Sequence, residues 1–304
     1  MNNTDALADL LTLLKAKTYA FVPPTPATHK IAIARRGEAR DLRDVLGWSL
    51  PFRPEMVPRD VLDALRKAGA VVDRGGWLRS AVRVAGLGDD LFLHSAFPTE
   101  GDDAVFFGPD SYRFARFIQQ HLKNRRIGTL VDIGAGSGVG GVVAAKRTRP
   151  ARTVMSDINP KAIALARANA RAAGVEAEFV QGEGLKAIDG PFDLAIANPP
   201  FIADAKGRAY RDGGGLHGAG LSLGWAKEAM PKLAPGGRLL LYTGAAIVGG
   251  RNPLFEALRA ETGKGFDLML EEIDPDIFGE EMNEPAYADV ERIAAVGAVI
   301  SRRR

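Results

Sequence analysis

Residues 193–207, DLAIANPPFIADAKG, begin as an apolar strand and break at Asn198-Pro199-Pro200-Phe201. Two successive prolines remove two N–H donors and hold the residue before each of them extended, so a strand ladder stops there. The corner offers two oxygen acceptors to one NH2 group, the Asn198 side-chain carbonyl and the Pro199 main-chain carbonyl. Phe201 is expected to add an exposed flat face on which a planar group stacks. Upstream, VDIGAGSGVGG (131–141) carries glycines at 134, 136 and 138 around Ala135. Such a loop turns sharply and lets a ligand approach the main chain without meeting a Cβ. Asp132, inside the strand before the loop, can accept loop amides and hold a cationic amine. Gly136, Gly138 and Gly141 also fit G-x-G-x-x-G, so a nicotinamide or flavin enzyme is a competing reading, although Asp132 would repel a pyrophosphate. Asp157, in MSDIN, closes the next strand where an acid can take both hydroxyls of a ribose, with Ile158 beside it to cover an adenine. A bare cap on the helix starting at Asn159-Pro160 is the alternative. Gly182 and Glu183, in VQGEGL, mark a third strand end, where an acid or its neighbouring backbone can meet an adenine amino group or simply form surface.

Such residues work together only if those strand ends lie side by side. From Ile127 onward strands and helices alternate. The strands are TLVDIGAG, RTVMSDI, AEFVQG, FDLAIANPP and GGRLLLYTG, then FDLMLEEI and VERIAAVGAVI. The helices between them are GVGGVVAAKRT, NPKAIALARANARAAG, Ser222 to Leu233 and Pro253 to Glu261. This pattern calls for an α/β domain, a parallel sheet with helices on both faces and ligands at the carboxyl ends of strands. Residues 1–105 are less regular, with proline-rich joints at 22–26 and 49–60. One helix is expected from Asp60, as N-cap, to Ala68, stopped by Gly69. Short strands joined by Gly-Gly and Gly-Asp-Asp turns follow it, a winged-helix-like α+β pattern. FFGPDSYRFARFIQQHL (106–122) leads by a helix into the second domain, 106–304.

The chain has 304 residues, no cysteine and a net charge of +3. Disulfides, thiolate metal sites and a cysteine nucleophile are excluded. His29, His94, His121 and His217 lack metal-ligand spacing, so no metal is expected. Ser137 lacks the flanking glycines of a nucleophile elbow. Neither a leader peptide nor an apolar run of membrane-spanning length is evident, so a cytoplasmic location is expected. Residues 1–110 hold 14 Lys/Arg against 15 Asp/Glu, and residues 111–304 hold 26 against 22. The local basic clusters KNRR (123–126) and KRTRPAR (146–152) read as solvated surface rather than a nucleic-acid footprint. EEIDPDIFGEEMNEPAY (271–287) reads as a solvated loop, or as a cover over the cleft that uses Phe278 or Tyr287.

DIGAGSG, SDIN and ANPPF, in this order, resemble the class I S-adenosylmethionine-dependent methyltransferases over residues 106–300. More narrowly they resemble the small-domain group of HemK-type protein-glutamine methyltransferases and the guanine-N2 and adenine-N6 methyltransferases of RNA and DNA. The resemblance implies a Rossmann-like, mostly parallel seven-stranded sheet; residues 1–105 match neither group, and substrate recognition is the role expected of this smaller α+β domain. The resemblance also implies S-adenosyl-L-methionine as methyl donor, held by Asp132, Gly134, Ala135, Gly136, Gly138, Asp157, Ile158, Gly182, Glu183 and Asn198. Asn198, Pro199, Pro200 and Phe201 form the catalytic corner.

A carboxamide or nucleobase nitrogen is planar, shares its lone pair with the π system and is a poor nucleophile. Two oxygen acceptors on its NH2 turn that lone pair toward the methyl carbon, and holding the reacting atoms ~3–3.5 Å apart supplies much of the rate. The nitrogen is neutral, so no base is needed before attack. Phe201 stands where HemK-type enzymes usually carry Tyr, which favours a nucleobase. YRDGGGLHGAGLSLGWAKEAMPKLAPGGRLLLYTG (210–244) resembles the HemK type, while GPDS (108–111) replaces that type's arginine-proline-glutamate motif. A protein glutamine and an RNA or DNA base both stay open as macromolecular acceptors, with a small molecule a third choice. A catalytically silent RNA-binding protein of the same fold is the remaining alternative.

Overall fold

The computed structural model describes residues 3–99, 101–122, 127–204, 207 and 211–304. The cluster at 123–126 lies outside them. Four helices come first: α1 (Asn3–Ala16), α2 (Pro26–Ala34), α3 (Leu42–Leu46) and α4 (Arg59–Lys67). The apolar stripe of α1, Leu7, Leu10, Leu11 and Leu14, has the spacing of one helix face and is buried. Asp60 is not the N-cap of α4. Pro58 takes that place, and Asp60 sits in the first turn, where its carboxylate accepts the Val61 amide at 2.9 Å. Two separate antiparallel hairpins follow, β1 (Val71–Arg74) with β2 (Trp77–Ser80), and β3 (Val82–Leu87) with β4 (Asp90–Ser95). Their turns hold Gly75, Gly76 and Gly88, all at positive φ.

Next come α5 (Pro109–His121), β5 (Thr129–Ile133), α6 (Val139–Thr148), β6 (Arg152–Asp157), α7 (Pro160–Ala172), β7 (Glu178–Gln181) and β8 (Phe192–Ala197). After these stand α8 (Gly220–Ala229), β9 (Leu233–Ile247), α9 (Pro253–Thr262), β10 (Phe266–Asp274) and β11 (Arg292–Arg302). Seven strands form one sheet in the order β10-β11-β9-β8-β5-β6-β7, with β11 antiparallel to β9 and β10 and the other pairs parallel. This is the Rossmann-like α/β architecture read from the sequence. The central strands are apolar because both faces are covered: Leu130, Val131, Ile133, Ala195, Ile196 and Ala197 are all buried.

The chain runs outward from β5 through β6 to β7, then returns to β8 on the other side of β5. Strand order therefore reverses between β5 and β8, where a cleft opens at the carboxyl ends. Ile133 is paired with Ala197. The glycine-rich loop and the Asn198 corner consequently leave the sheet next to each other.

The N-terminal elements are packed directly on this domain. Ala162, Leu165 and Ala168 of α7 share one buried core with Leu10, Leu14, Phe52 and Leu65. Asn169, wholly buried in α7, exchanges two hydrogen bonds with Leu93 of β4, accepting its amide at 2.8 Å and donating to its carbonyl at 3.1 Å. The same carboxamide donates to the Ser137 carbonyl at 2.8 Å. No helix among the described residues is long and apolar enough to cross a membrane.

Candidate active site

A cleft of about 440 Å³ opens at the reversal point, within the range of small-molecule sites. It is lined by Asp132, Gly134, Ala135, Gly136, Asp157, Ile158, Gly182 and Glu183 from three strand ends, and by Asn198, Pro199, Pro200 and Phe201 from β8. Twelve of the thirteen residues expected at the site thus meet around one cavity. Gly138 does not reach the wall. It precedes α6 at φ 76°, and a Cβ there would stand 3.0 Å from the Ala166 Cβ.

The three loop glycines have different tasks, which corrects the expectation that all of them admit a ligand. A Cβ on Gly134 would lie 2.3 Å from Cη2 of Trp225, so this glycine makes room for an indole of α8. Gly136, at φ 55°, has nothing within 4 Å of where a Cβ would be. Of the three, it alone leaves its open side free. Its amide donates to Asp157 Oδ2 at 2.8 Å, while Asp157 Oδ1 accepts the Asn159 amide at 2.9 Å. Capping of α7 belongs to Asn159, whose side chain accepts the Lys161 amide. Each Asp157 oxygen keeps a lone pair beyond these bonds, so the carboxylate can still receive hydroxyl groups. Burial raises its pKa against the opposing pull of the Asn159 and Gly136 amides.

Asp132 is buried below the loop and accepts the Gly141 amide at 2.6 Å. A Cβ at Gly141 would stand 2.5 Å from Met155 and 3.1 Å from that same carboxylate, so the third glycine of the fingerprint is there for packing. Burial pushes the Asp132 carboxyl up to about 7; the Gly141 amide opposes this and the charge of Asp157 adds to it. A cation in the cleft would favour the ionised form, whereas an anion would oppose it. Ile158 is 57% exposed, an apolar side chain left uncovered on the wall. Glu183 stands at the rim, its carboxylate 2.7 Å from Lys186.

At the corner, Asn198 Oδ1 is buried and has no hydrogen-bond partner among the described residues. Leaving a buried acceptor unpaired costs free energy that a donor from a bound group would restore. Phe201 is not exposed as the sequence suggested: it is 8% exposed, with its ring packed on the main chain at Gly244 and edge-on to Phe278 at 5.6 Å. It lines the cleft as part of a wall rather than as a free platform.

The segment after β10 contributes Phe278 to the cleft. Residues 271–274 of the expected loop belong to β10, and Tyr287 is buried, its hydroxyl accepting the Ala203 amide at 2.8 Å. Glu281 pairs with Arg211, another lining residue. Trp225, Leu221 and Arg211 were not expected at the site; Trp225 reads in sequence as an ordinary apolar helix position. Asp110, from the GPDS segment, is buried, accepts the Tyr242 hydroxyl at 2.7 Å and lies 3.3 Å from Arg113. It ties the start of α5 to β9. In the second basic cluster Lys146 pairs with Asp90 and Arg152 with Glu178, as expected of solvated surface.

Among protein families, the methyltransferase small domain matches residues 104–212. A release factor glutamine methyltransferase of Deinococcus radiodurans is 33% identical over 144 residues, 44% of this chain and 51% of that protein. A ribosomal RNA small subunit methyltransferase C of Pseudomonas putida is 34% identical over 89 residues, 29% of this chain and 27% of that protein. The chain thus spans about half, or less, of the length of these relatives. Of solved structures, a transferase of Pyrococcus horikoshii is similar in fold, with a TM-score of 0.53 at 11% identity, covering 92% of this chain and 99% of that one. Another is TYW2 of M. jannaschii, solved with AdoMet, with a TM-score of 0.50 at 15% identity over 74% of this chain and 90% of that one. Residues 104–212, with the cleft they help build, thus match the methyltransferase small domain, and over part of their length this chain is similar to a protein-glutamine and a ribosomal RNA methyltransferase.

Proposed function

We propose that this protein is an S-adenosylmethionine-dependent N-methyltransferase acting in the cytoplasm on a planar amide or exocyclic amino nitrogen of a macromolecule, either a protein glutamine or an RNA or DNA base. The observation that carries the reading is the buried, unpartnered Asn198 Oδ1 beside the Pro199-Pro200 turn, on the wall shared with Asp132 and Asp157. The relatives support both acceptor classes, since one is a glutamine methyltransferase and the other a ribosomal RNA methyltransferase. Residues 1–105 are proposed to recognise the substrate.

When bound, S-adenosylmethionine supplies an electron-poor methyl carbon on a sulfonium. Asp132, once ionised, neutralises an ammonium group and is itself relieved of an uncompensated buried charge. Asp157 takes hydroxyl donors on its remaining lone pairs, Gly136 leaves the main chain open to close approach, and Ile158 covers an apolar ring face. Asn198 Oδ1 and the Pro199 carbonyl accept the two N–H bonds of one NH2 group, which aims its lone pair out of the plane. As the N–C bond forms, the methyl–sulfur bond would break with its electron pair going to sulfur, leaving the neutral thioether S-adenosylhomocysteine; the nitrogen would then carry the positive charge and lose its proton to solvent, so no side-chain base is required.

A nicotinamide enzyme is disfavoured by the buried Asp132 carboxylate directly under the loop where a pyrophosphate would lie. Calorimetric titration separates the readings. S-adenosylhomocysteine is expected to bind at micromolar level and NADH not to bind; the reverse result would overturn the proposal. The silent RNA-binding alternative fails if the purified protein transfers methyl groups and Asn198→Ala does not.

A further inference from the structure

The N-terminal elements carry a second concavity, an open groove of about 1130 Å³ whose walls include Arg40, Arg74, Trp77, Arg79 and Phe97. Arg53, not itself on the walls, holds its guanidinium 4.6 Å over the ring of Trp77. Among the described residues, no carboxylate comes within ion-pair distance of Arg40, Arg53, Arg74 or Arg79, whereas many other cations of the molecule are paired. Arg79 donates to the Ser49 carbonyl at 3.1 Å, and among the described residues Glu38 is the one acid on the walls. All four cations are arginines, which bind phosphate with a planar fork and stack on rings, as a lysine ammonium does not. Phe97 is already stacked on His29 at 4.1 Å, so it is the guanidinium groups without a carboxylate partner, three of them on the walls beside Trp77, that match the phosphates of a nucleic-acid strand.

The groove also has a direct covalent route to the cleft. Pro98 lines the groove and Asp102 lines the cleft, so the two are joined by four residue steps, at most about 14 Å of chain.

We infer that this groove binds single-stranded nucleic acid, with RNA as the acceptor class, and holds the segment flanking the methylated base. The inference deepens the methyl-transfer reading and rests on it only for the direction of the strand. Binding itself is measured without cofactor.

The test is fluorescence anisotropy of a labelled single-stranded RNA of about 12 nucleotides, within the usual span of such a groove, titrated with the full chain at several salt concentrations. The parent is expected to show a slope of log affinity against log salt of about −2 to −3, corresponding to three or four phosphates. Arg40→Gln/Arg74→Gln, at two exposed side chains, is expected to weaken binding about tenfold or more and to make the slope shallower by about 1.4. Circular dichroism melts that coincide with the parent show that the variant is folded. Equal affinity and slope in parent and folded variant would overturn the inference. So would displacement of the RNA by poly-glutamate at equal charge, which would assign the groove to an acidic protein. Asp157→Ala separates the two claims: RNA binding persists there while S-adenosylhomocysteine binding falls. If RNA fails to bind a protein that still takes S-adenosylhomocysteine, the groove is wrong and the methyl-transfer reading stands.

Discussion

Asn169 and Leu93 face each other as two strand residues would, with paired hydrogen bonds of 2.8 and 3.1 Å, although Asn169 lies on a helix. The carboxamide imitates a peptide group and closes the free edge of β4. Its third bond, to the Ser137 carbonyl, fastens the glycine-rich loop to the N-terminal hairpin. Asn169→Ala leaves three buried polar groups unpaired and is expected to cost on the order of 3 kcal/mol in urea unfolding. Cofactor affinity is expected to fall with it, because the loop loses its anchor. A loss below about 1 kcal/mol would show that the fold satisfies these groups otherwise.

Asp132 is expected to make cofactor binding pH-dependent. With its carboxyl held at about 7, an ammonium ligand has to expel a proton at pH 6 and not at pH 8. Affinity for S-adenosylhomocysteine is expected to rise about tenfold from pH 6 to 8 by calorimetry. Asp132→Asn, which keeps an acceptor for Gly141, is expected to bind weakly with a flat profile in this interval. The ligand-free protein behaves the opposite way. The folded pKa lies above the unfolded value of 3.8, so the folded state holds the proton longer and stability declines as pH rises from about 4 through 7. A parent melting temperature that climbs relative to Asp132→Asn across that window would contradict the account.

The two glycines at 134 and 136 differ in what they protect. Gly134→Ala drives a methyl group into Trp225 at positive φ and is expected to destabilise the fold by about 2–3 kcal/mol. Gly136→Ala meets no atom and is expected to cost about 1–2 kcal/mol for its left-handed backbone and to cut cofactor affinity well beyond that small loss of stability. Thermal melts and cofactor titrations of both variants check the contrast. Equal effects in the two assays would remove the distinction.

Asp157→Ala is expected to lower cofactor affinity about tenfold to a hundredfold, since each hydrogen bond to a charged group contributes about 1.5–3 kcal/mol. Asp157→Asn keeps one acceptor oxygen and should fall between. An unchanged dissociation constant for the alanine variant in calorimetry would rule out a hydroxyl-binding role.

Much of the sheet domain is legible in the sequence because its strands, covered on both faces, are continuous apolar runs such as LAIA and LLLY, each followed within two residues by glycine or proline. The polar residues at those ends, Asp132, Asp157 and Asn198, stand out against that background. What the sequence hides is long-range. The contact of Gly134 with Trp225 spans 91 positions, and Phe201 is buried because Gly244, on another strand, offers no side chain to hold it off. Local pattern also misleads about the start of α4, where Pro58 supplies the extended residue that the acid at position 60 seemed placed to supply. The Asn169 bridge has no sequence signal, since its amide in the middle of a helix resembles any surface position.

The most direct test is transfer of tritiated methyl from labelled S-adenosylmethionine into an extract of cells lacking this gene, with the parent and Asn198→Ala compared at equal cofactor saturation. The account predicts label in a macromolecular fraction with the parent, and a loss of at least about a hundredfold with Asn198→Ala while its affinity for S-adenosylhomocysteine is kept. Undiminished transfer by Asn198→Ala at matched saturation would contradict it.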